Sequence, residues 1–310
     1  MYEIVFTERD ENFDNTRVRF KRYSFSKSFY IEFSDLISLD YAKNEHKGKN
    51  QFRIDYTLRG RFECEFLDGS FAYSGPNEIT ILATPENENW LISGSIPTKY
   101  HKGCVVLIEL DKLEERDYDL FSRFNIDLNK LIKDLDIIQK WHKVDNPDEF
   151  VEIFTEIYNA EEQKDYNRLL IKSIEILLLV SELSNNNQFG YSKAKYYSGK
   201  KVQKVKRIHE YILENYDQSI SFESLVPKYD IGYTQFNTIF KEIYGISPYQ
   251  YLKKHRIYIS CKKLKDTDQS IIDIANSVGY SNASKFSNAF KSIMNTTPNK
   301  YRNKNRINRF

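Results

Sequence analysis

Two sets of polar side chains, fifty positions apart, hold the most specific chemistry of this chain. Thr234, Asn237, Thr238 and Lys241 form the first; Ser284, Ser287, Asn288 and Lys291 form the second. These are residue types that read a nucleic-acid duplex. An Asn amide offers a donor and an acceptor together to an adenine edge. Ser and Thr offer single hydrogen bonds or a methyl contact, and Lys contacts phosphate. Ordinary solvated positions carry the same residue types, so the elements that hold them decide.

Both sets lie on segments with helical apolar spacing. Phe236, Ile239 and Phe240 share one face, and at ~100° per residue the four polar residues of the first set point away from it. Phe286 and Phe290 do the same for the second set. Ser221 is placed to cap a short helix holding Phe222 and Leu225, and Gly232 precedes the recognition helix. In the second copy Ile271, Ile274, Ala275 and Val278 pack the first helix, and Gly279 to Ser281 make the turn. Ser247 and Pro248 open a connecting helix that runs through Leu264, with Tyr251, Leu252 and Ile259 available for packing. Phe236, Phe240, Lys241, Pro248 and Tyr251 recur fifty residues later as Phe286, Phe290, Lys291, Pro298 and Tyr301. One helix–turn–helix pattern is thus written twice, and a rigid connector holds two reading heads the ~34 Å apart that one turn of B-DNA requires.

Charge agrees with a polyanionic partner for this region alone. The chain carries 46 basic and 44 acidic residues; residues 200–310 hold 20 and 9 of them, leaving 26 and 35 for residues 1–199. The C-terminal third is therefore net +11 and the remainder net −9.

The 310 residues allow two or three domains. Cys64, Cys104 and Cys261 are odd in number and unevenly spaced, which indicates neither a disulfide framework nor a zinc site. The N-terminus lacks a signal pattern, and the longest apolar run, Ile176 to Val180, falls far short of the ~20 residues a membrane span needs. A cytoplasmic protein is expected. The first 110 residues read as strands. Phe62 to Phe66 alternates, Asp68 and Gly69 signal a hairpin, and Phe71 to Tyr73 resumes the strand. Ile54 to Leu58, Glu78 to Ala83, Trp90 to Ile92 and Gly103 to Leu110 add further strands, giving a small barrel or sandwich with an aromatic interior. Helical spacing follows. Asp127 caps a helix with Leu128, Leu131, Ile132, Leu135 and Ile138 on one face, and Asn146 and Pro147 start a second with Phe150, Ile153, Phe154 and Ile157. Asp165 starts a third, whose Leu169, Leu170, Ile174, Leu177, Leu178 and Val180 pack inside the subunit or against a twin helix.

From about Val202 to Arg302 the chain resembles the DNA-binding domain of the AraC/XylS family of bacterial transcription regulators. The resemblance is carried by Ser270 to Tyr280, Phe286, Phe290, Lys291, Thr297, Pro298, Tyr301 and Arg302. It implies two recognition helices in adjacent major grooves, base-reading sites at Thr234, Asn237, Thr238, Ser284, Lys285 and Asn288, and a family arginine at Arg256 in the connecting helix. Departures gather in the first unit: Val226 replaces Ala, Asp230 replaces Gly, Gly232 replaces a Ser or Thr cap, and Pro227 lies inside the short first helix, where it removes a donor. Thr238 and Asn288 replace family arginines, so the arginine–guanine contact is expected to be missing at both. More loosely, the N-terminal half resembles the family's sensor domain, with Tyr56 to Phe66 as its best stretch.

The resulting expectation is an α+β chain. Residues 1–110 form a cupin-like β-barrel that senses an effector, 111–183 a helical dimerisation segment, and 184–199 a linker. Residues 200–310 form an all-α domain with helix–turn–helix units at 221–241 and 270–291. The implied partners are operator or promoter double-stranded DNA, RNA polymerase, a small-molecule effector and a second copy of the chain; activation is the commoner outcome among relatives. No cofactor or metal is expected. Phe52, Tyr56, Phe62, Phe66, Tyr73 and Trp90 are aromatic residues available either to a pocket or to plain core. Two alternatives remain: a regulator or co-regulator with an empty barrel, and a cupin-type metal enzyme using His46 and His101, although no His-x-His pair, phosphate loop or nucleophile elbow is present.

Overall fold

Alternating burial organises the first half of the protein. A computed structural model describes residues 4–13, 16–38, 50–84, 91–135, 137, 141–186 and 191–306. The chain divides into two units, 1–198 and 199–310. The first begins with nine strands: β1 (Val5–Phe13), β2 (Thr16–Ser24), β3 (Phe29–Ser38), β4 (Gln51–Gly60), β5 (Phe62–Phe66), β6 (Ser70–Ser74), β7 (Glu78–Thr84), β8 (Leu91–Ser95) and β9 (Tyr100–Glu109). Then come α1 (Glu115–Arg123), α2 (Leu128–Asp134), β10 (His142–Val144), α3 (Asp148–Gln163), α4 (Tyr166–Asn186), β11 (Tyr191–Lys193) and β12 (Tyr197–Ser198). One antiparallel sheet runs β1-β2-β3-β9-β4-β7-β10-β11 and a second runs β12-β6-β5-β8. The trio β9-β4-β7 in the first sheet is matched by β8-β5-β6 in the second, so a strand ribbon folds over itself in a cupin-like way.

Strands β4 to β7 and β9 follow the alternation and turn residues of the sequence. At the β5–β6 hairpin Gly69 takes φ 74°, its N–H donates to the Phe66 carbonyl at 2.9 Å, and the Asp68 carboxylate accepts from the Ser70 N–H at 2.8 Å. Trp90, Ile138 and His46 lie outside the described residues. Strands β1 and β2 escape a reading by alternation because they pair through charge. Asp10 accepts from Arg17 at 3.3 Å and Arg19 at 3.1 Å, which holds its carboxyl below the usual range.

The two faces of the large sheet differ in chemistry. Phe52, Ile54, Tyr56, Ile79, Ile81, Val106 and Ile108 share one core with Phe121, Leu131, Phe150, Phe154 and Leu177 of the helices. Tyr56 stacks on Phe154 at 4.7 Å, and Phe33 meets Tyr158 edge-on at 5.2 Å. Strands 1–110 and helices 111–183 therefore fold around a common interior. On the α4 face Leu169, Ile174, Leu177 and Val180 are buried within the unit, and Leu170 and Leu178 are half-buried. Asp127 and Asp165 cap α2 and α4 as expected, accepting from the N–H groups of Lys130 and Arg168 at 3.0 and 3.1 Å. Within the stretch expected as a linker, β11 pairs with β10 and β12 pairs with β6.

Phe52 and Tyr56 thus face the helices, and the aromatic lumen gives way to a polar one. On the opposite face of β4, Arg53 binds Asp55 at 2.7 Å, and Thr57 meets Ser74 of the second sheet at 3.0 Å and His101 at 3.4 Å. Nearby Tyr30 donates to Glu109 at 3.0 Å, and the Arg22 guanidinium lies 4.0 Å from the Tyr30 ring centre while pairing with Glu32 at 2.7 Å.

Burial lowers the His101 pKa to about 4. An unfolded His titrates near ~6.5, so between these values the unfolded chain binds the extra proton and stability falls as pH falls. The wild-type protein is expected to lose on the order of 1–3 kcal/mol through this residue between pH ~6.5 and ~4. Melting of wild type and His101→Gln across that range checks this: the variant should show the shallower pH slope, and equal slopes would contradict the assignment.

Candidate nucleic-acid interface

The second unit consists of α5 (Gly199–Glu214), α6 (Phe222–Leu225), α7 (Tyr233–Tyr244), α8 (Pro248–Asp266), α9 (Ile271–Ser277), α10 (Ala283–Met294) and α11 (Pro298–Arg306). The fifty-residue repeat is geometric as well as sequential. Phe236 and Phe240 rings lie 5.5 Å apart at 59°, and Phe286 and Phe290 lie 5.8 Å apart at 57°. Phe240 meets Tyr251 edge-on at 5.6 Å, as Phe290 meets Tyr301 at 5.5 Å. Both recognition helices, α7 and α10, end on a left-handed residue, Gly245 at φ 79° and Asn295 at φ 52°. The N–H of each closes onto the carbonyl of Lys241 or Lys291. Pro248 and Pro298 then start the next helices and are buried.

With Phe236, Ile239 and Phe240 fully buried on α7, Thr234, Thr238 and Lys241 stand exposed and Asn237 is half-buried. On α10 Phe286 and Phe290 are buried, Ser284, Lys285, Asn288 and Lys291 are exposed, and Ser287 is half-buried. Each set is gathered on its own helix. The Thr238 hydroxyl donates to the Thr234 carbonyl at 3.0 Å, so its proton is spent within the helix and it presents a methyl group and a lone pair outward. Gln235 is exposed at the position that repeats as Lys285 and extends the first set; the repeat register was the signal that could have found it.

The two units enter their recognition helices differently. The Asn282 amide oxygen accepts from the N–H groups of Ser284 and Lys285 at 2.8 and 3.0 Å. Gly232, its counterpart, has no side chain to do this. In the first turn Asp230 adopts φ 52°, a conformation that disfavours a side chain, and Lys204 clamps it by donating to its carbonyl at 2.6 Å and its carboxylate at 2.7 Å. In the second turn Gly279 takes φ 82° without that conflict. Pro227 does not interrupt a helix. α6 ends at Leu225, and Pro227 stands near the start of a separate 3-10 turn, Val226–Tyr229, where its missing N–H costs little.

A family model described as a helix-turn-helix domain matches residues 227–304. The virulence regulon transcriptional activator VirF of Yersinia enterocolitica is 28% identical over 142 residues, 46% of this chain and 51% of VirF. The probable transcription factor PqrA of Proteus vulgaris is 33% identical over 86 residues, 28% of this chain and 70% of PqrA. Among solved structures, the C-terminal domain of AraT, a response regulator from Geobacillus stearothermophilus, is 31% identical, covering 33% of this chain and 84% of that one with a TM-score of 0.32. The chain thus spans about half the length of VirF, and the family model lies within the second unit.

Replacing Asn282 by Ala should destabilise the second unit by about 1 kcal/mol, whereas Gly232→Ser should shift it by only a few tenths. Denaturant titrations of both variants measure this; an Asn282→Ala protein as stable as wild type would remove the cap from the account.

Proposed function

The chain belongs to the AraC/XylS family of transcription regulators, and from that premise we propose that it is a sequence-specific DNA-binding regulator that places α7 and α10 in successive major grooves of one duplex. The observation that carries the proposal is the repeated aromatic anchor, which buries one face of each recognition helix and turns a polar set outward. In this reading Asn288 pairs with an adenine edge, Thr238 offers its methyl group to a thymine, and Ser284, Lys285, Thr234, Gln235 and Asn237 complete the base contacts. Lys241 and Lys291 bind phosphate, with Ser287 at the edge of the contact. No guanine-reading arginine stands at Thr238 or Asn288, so the preferred site differs there from that of arginine-bearing relatives.

The first unit serves as the regulatory half. Arg53 and Asp55 pair at 2.7 Å on the β4 face opposite the helices and keep 31% and 29% of their side-chain surface accessible. A half-buried ion pair beside Thr57 and His101 offers charged and polar groups that a polar small-molecule effector can engage, which favours that reading over an empty barrel. The opposite face of the same strands shares a core with α1 to α4. A shift of β4 or β9 on effector binding therefore passes to those helices, which in this reading also form the homodimer contact. Activation through RNA polymerase in the cytoplasm is the proposed outcome. Among the described residues no helix is long and apolar enough to cross a membrane. A metal enzyme finds little support: the relatives are transcription regulators, and His101 is held beside Thr57 and the Phe62 ring.

Selection of bound sequences from a random duplex pool tests the proposal: two short motifs about 10 base pairs apart are expected, and recovery of no motif would contradict it. On the recovered site, Asn288→Ala should relax preference at one position. Lys291→Ala should weaken recovered and random duplexes alike and lower the salt slope by about 1, as anisotropy titrations at several salt concentrations would report. Equal losses on both duplexes for both variants would remove the role assignment.

A further inference from the structure

Arg256 lies half-buried in the middle of α8, within electrostatic reach of the Asp217 carboxylate, and its guanidinium donates to backbone carbonyls. Its Nε donates to the Tyr216 carbonyl at 2.7 Å and an Nη to the Gln218 carbonyl at 2.6 Å. Both carbonyls belong to the loop that leads from α5 into the first helix–turn–helix unit at Ser221. The guanidinium also lies 5.6 Å from the ring centre of Tyr280, in the turn of the second unit. Beside it, a Cβ added to Gly279 would stand 2.8 Å from the Arg256 guanidinium and 2.7 Å from the Asp217 carbonyl. Loop 216–218, the connecting helix and turn 279–280 therefore meet at one point, with the planar fork of Arg256 inserted between the two units.

We infer that Arg256 is a positioning residue that sets the separation and relative rotation of the two recognition helices, and so the spacing of the two subsites that the protein accepts. The inference rests on the double-headed reading proposed above. α8 joins α7 to α10 and packs on each, on Phe240 through Tyr251 and on Phe286 and Phe290 through Ile257, Cys261 and Leu264. The Arg256 contacts add to that packing a direct tie between the lead-in of the first unit and the turn of the second. A polar tie at the midpoint of α8 resists a rotation of one unit against the other that apolar side chains at its ends can accommodate by sliding. The chemistry requires arginine: two carbonyls are bonded by different nitrogens of one rigid plane whose face also covers Tyr280, whereas a lysine ammonium has neither the fork nor the face. The close approach at Gly279 follows as well, because any side chain there would push the guanidinium away from the loop.

Spacing selectivity is the readout that a purely structural role would not move. Full-length wild type, Arg256→Ala and Arg256→Lys are titrated against the selected duplex and against duplexes with one base pair inserted or removed between the subsites, at a temperature where circular dichroism shows each protein folded. Wild type is expected to lose about tenfold in affinity on the altered spacings, Arg256→Ala less than about threefold, and Arg256→Lys an intermediate amount. A folded Arg256→Ala that keeps the wild-type penalty overturns the inference. If Arg256→Ala fails to fold, an unchanged penalty in Arg256→Lys overturns it equally. Absence of any spacing penalty in wild type overturns the double-headed reading and this inference together, while a wild-type penalty that only the variants lack supports both.

Discussion

Each recognition helix depends on one aromatic lock: two Phe rings a turn apart on the helix, closed edge-on by a Tyr from the helix that follows. Burial of such rings is the largest apolar contribution available to a small helical unit, and truncating one to Ala typically costs ~3–5 kcal/mol. Because the lock occupies one face completely, residues at the intervening positions have nowhere to go but outward. The polar sets on α7 and α10 are a consequence of where Phe236, Phe240, Phe286 and Phe290 must lie. The same lock used twice at one spacing produces two heads of equal geometry, while differences at the caps and turns leave the first head without a side-chain cap and with a clamped Asp230.

The first unit follows a similar division of faces. A single strand, β4, turns Phe52, Ile54 and Tyr56 to the helices and Arg53, Asp55 and Thr57 to the opposite sheet. The apolar face makes the sheet and α1 to α4 one mechanical body. The polar face holds the half-buried Arg53–Asp55 pair. A polar effector acting on that face would find the helices only one strand thickness away, which is a short path for a conformational signal.

Much of this was legible in the chain and the rest has physical reasons for being hidden. The repeat, the outward polar sets and the caps at Asp127, Asp165 and Ser221 depend on local spacing, which sequence displays directly. Strands β1 and β2 were not legible because Arg17 and Arg19 pair with Asp10 across strands, replacing the apolar alternation that marks a strand. The direction of Phe52 and Tyr56 was hidden because β4 is covered on both faces, so alternation shows two classes of residue without saying which meets the helices. The role of Arg256 was hidden because its partners are backbone carbonyls about forty residues away, which carry no residue-specific signal. Gln235 was passed over because only its equivalence to Lys285 marks it.

The central claim is that one chain reads one duplex with two heads. Hydroxyl-radical footprinting of the full-length protein on its selected site, at ~150 mM salt, addresses it directly. The account predicts two protected patches on the same face of the DNA, about one helical turn apart, with the Asn288→Ala protein losing protection in the patch read by α10 and keeping the other. A single patch, or protection spread evenly along the duplex and lost as salt rises, would contradict it.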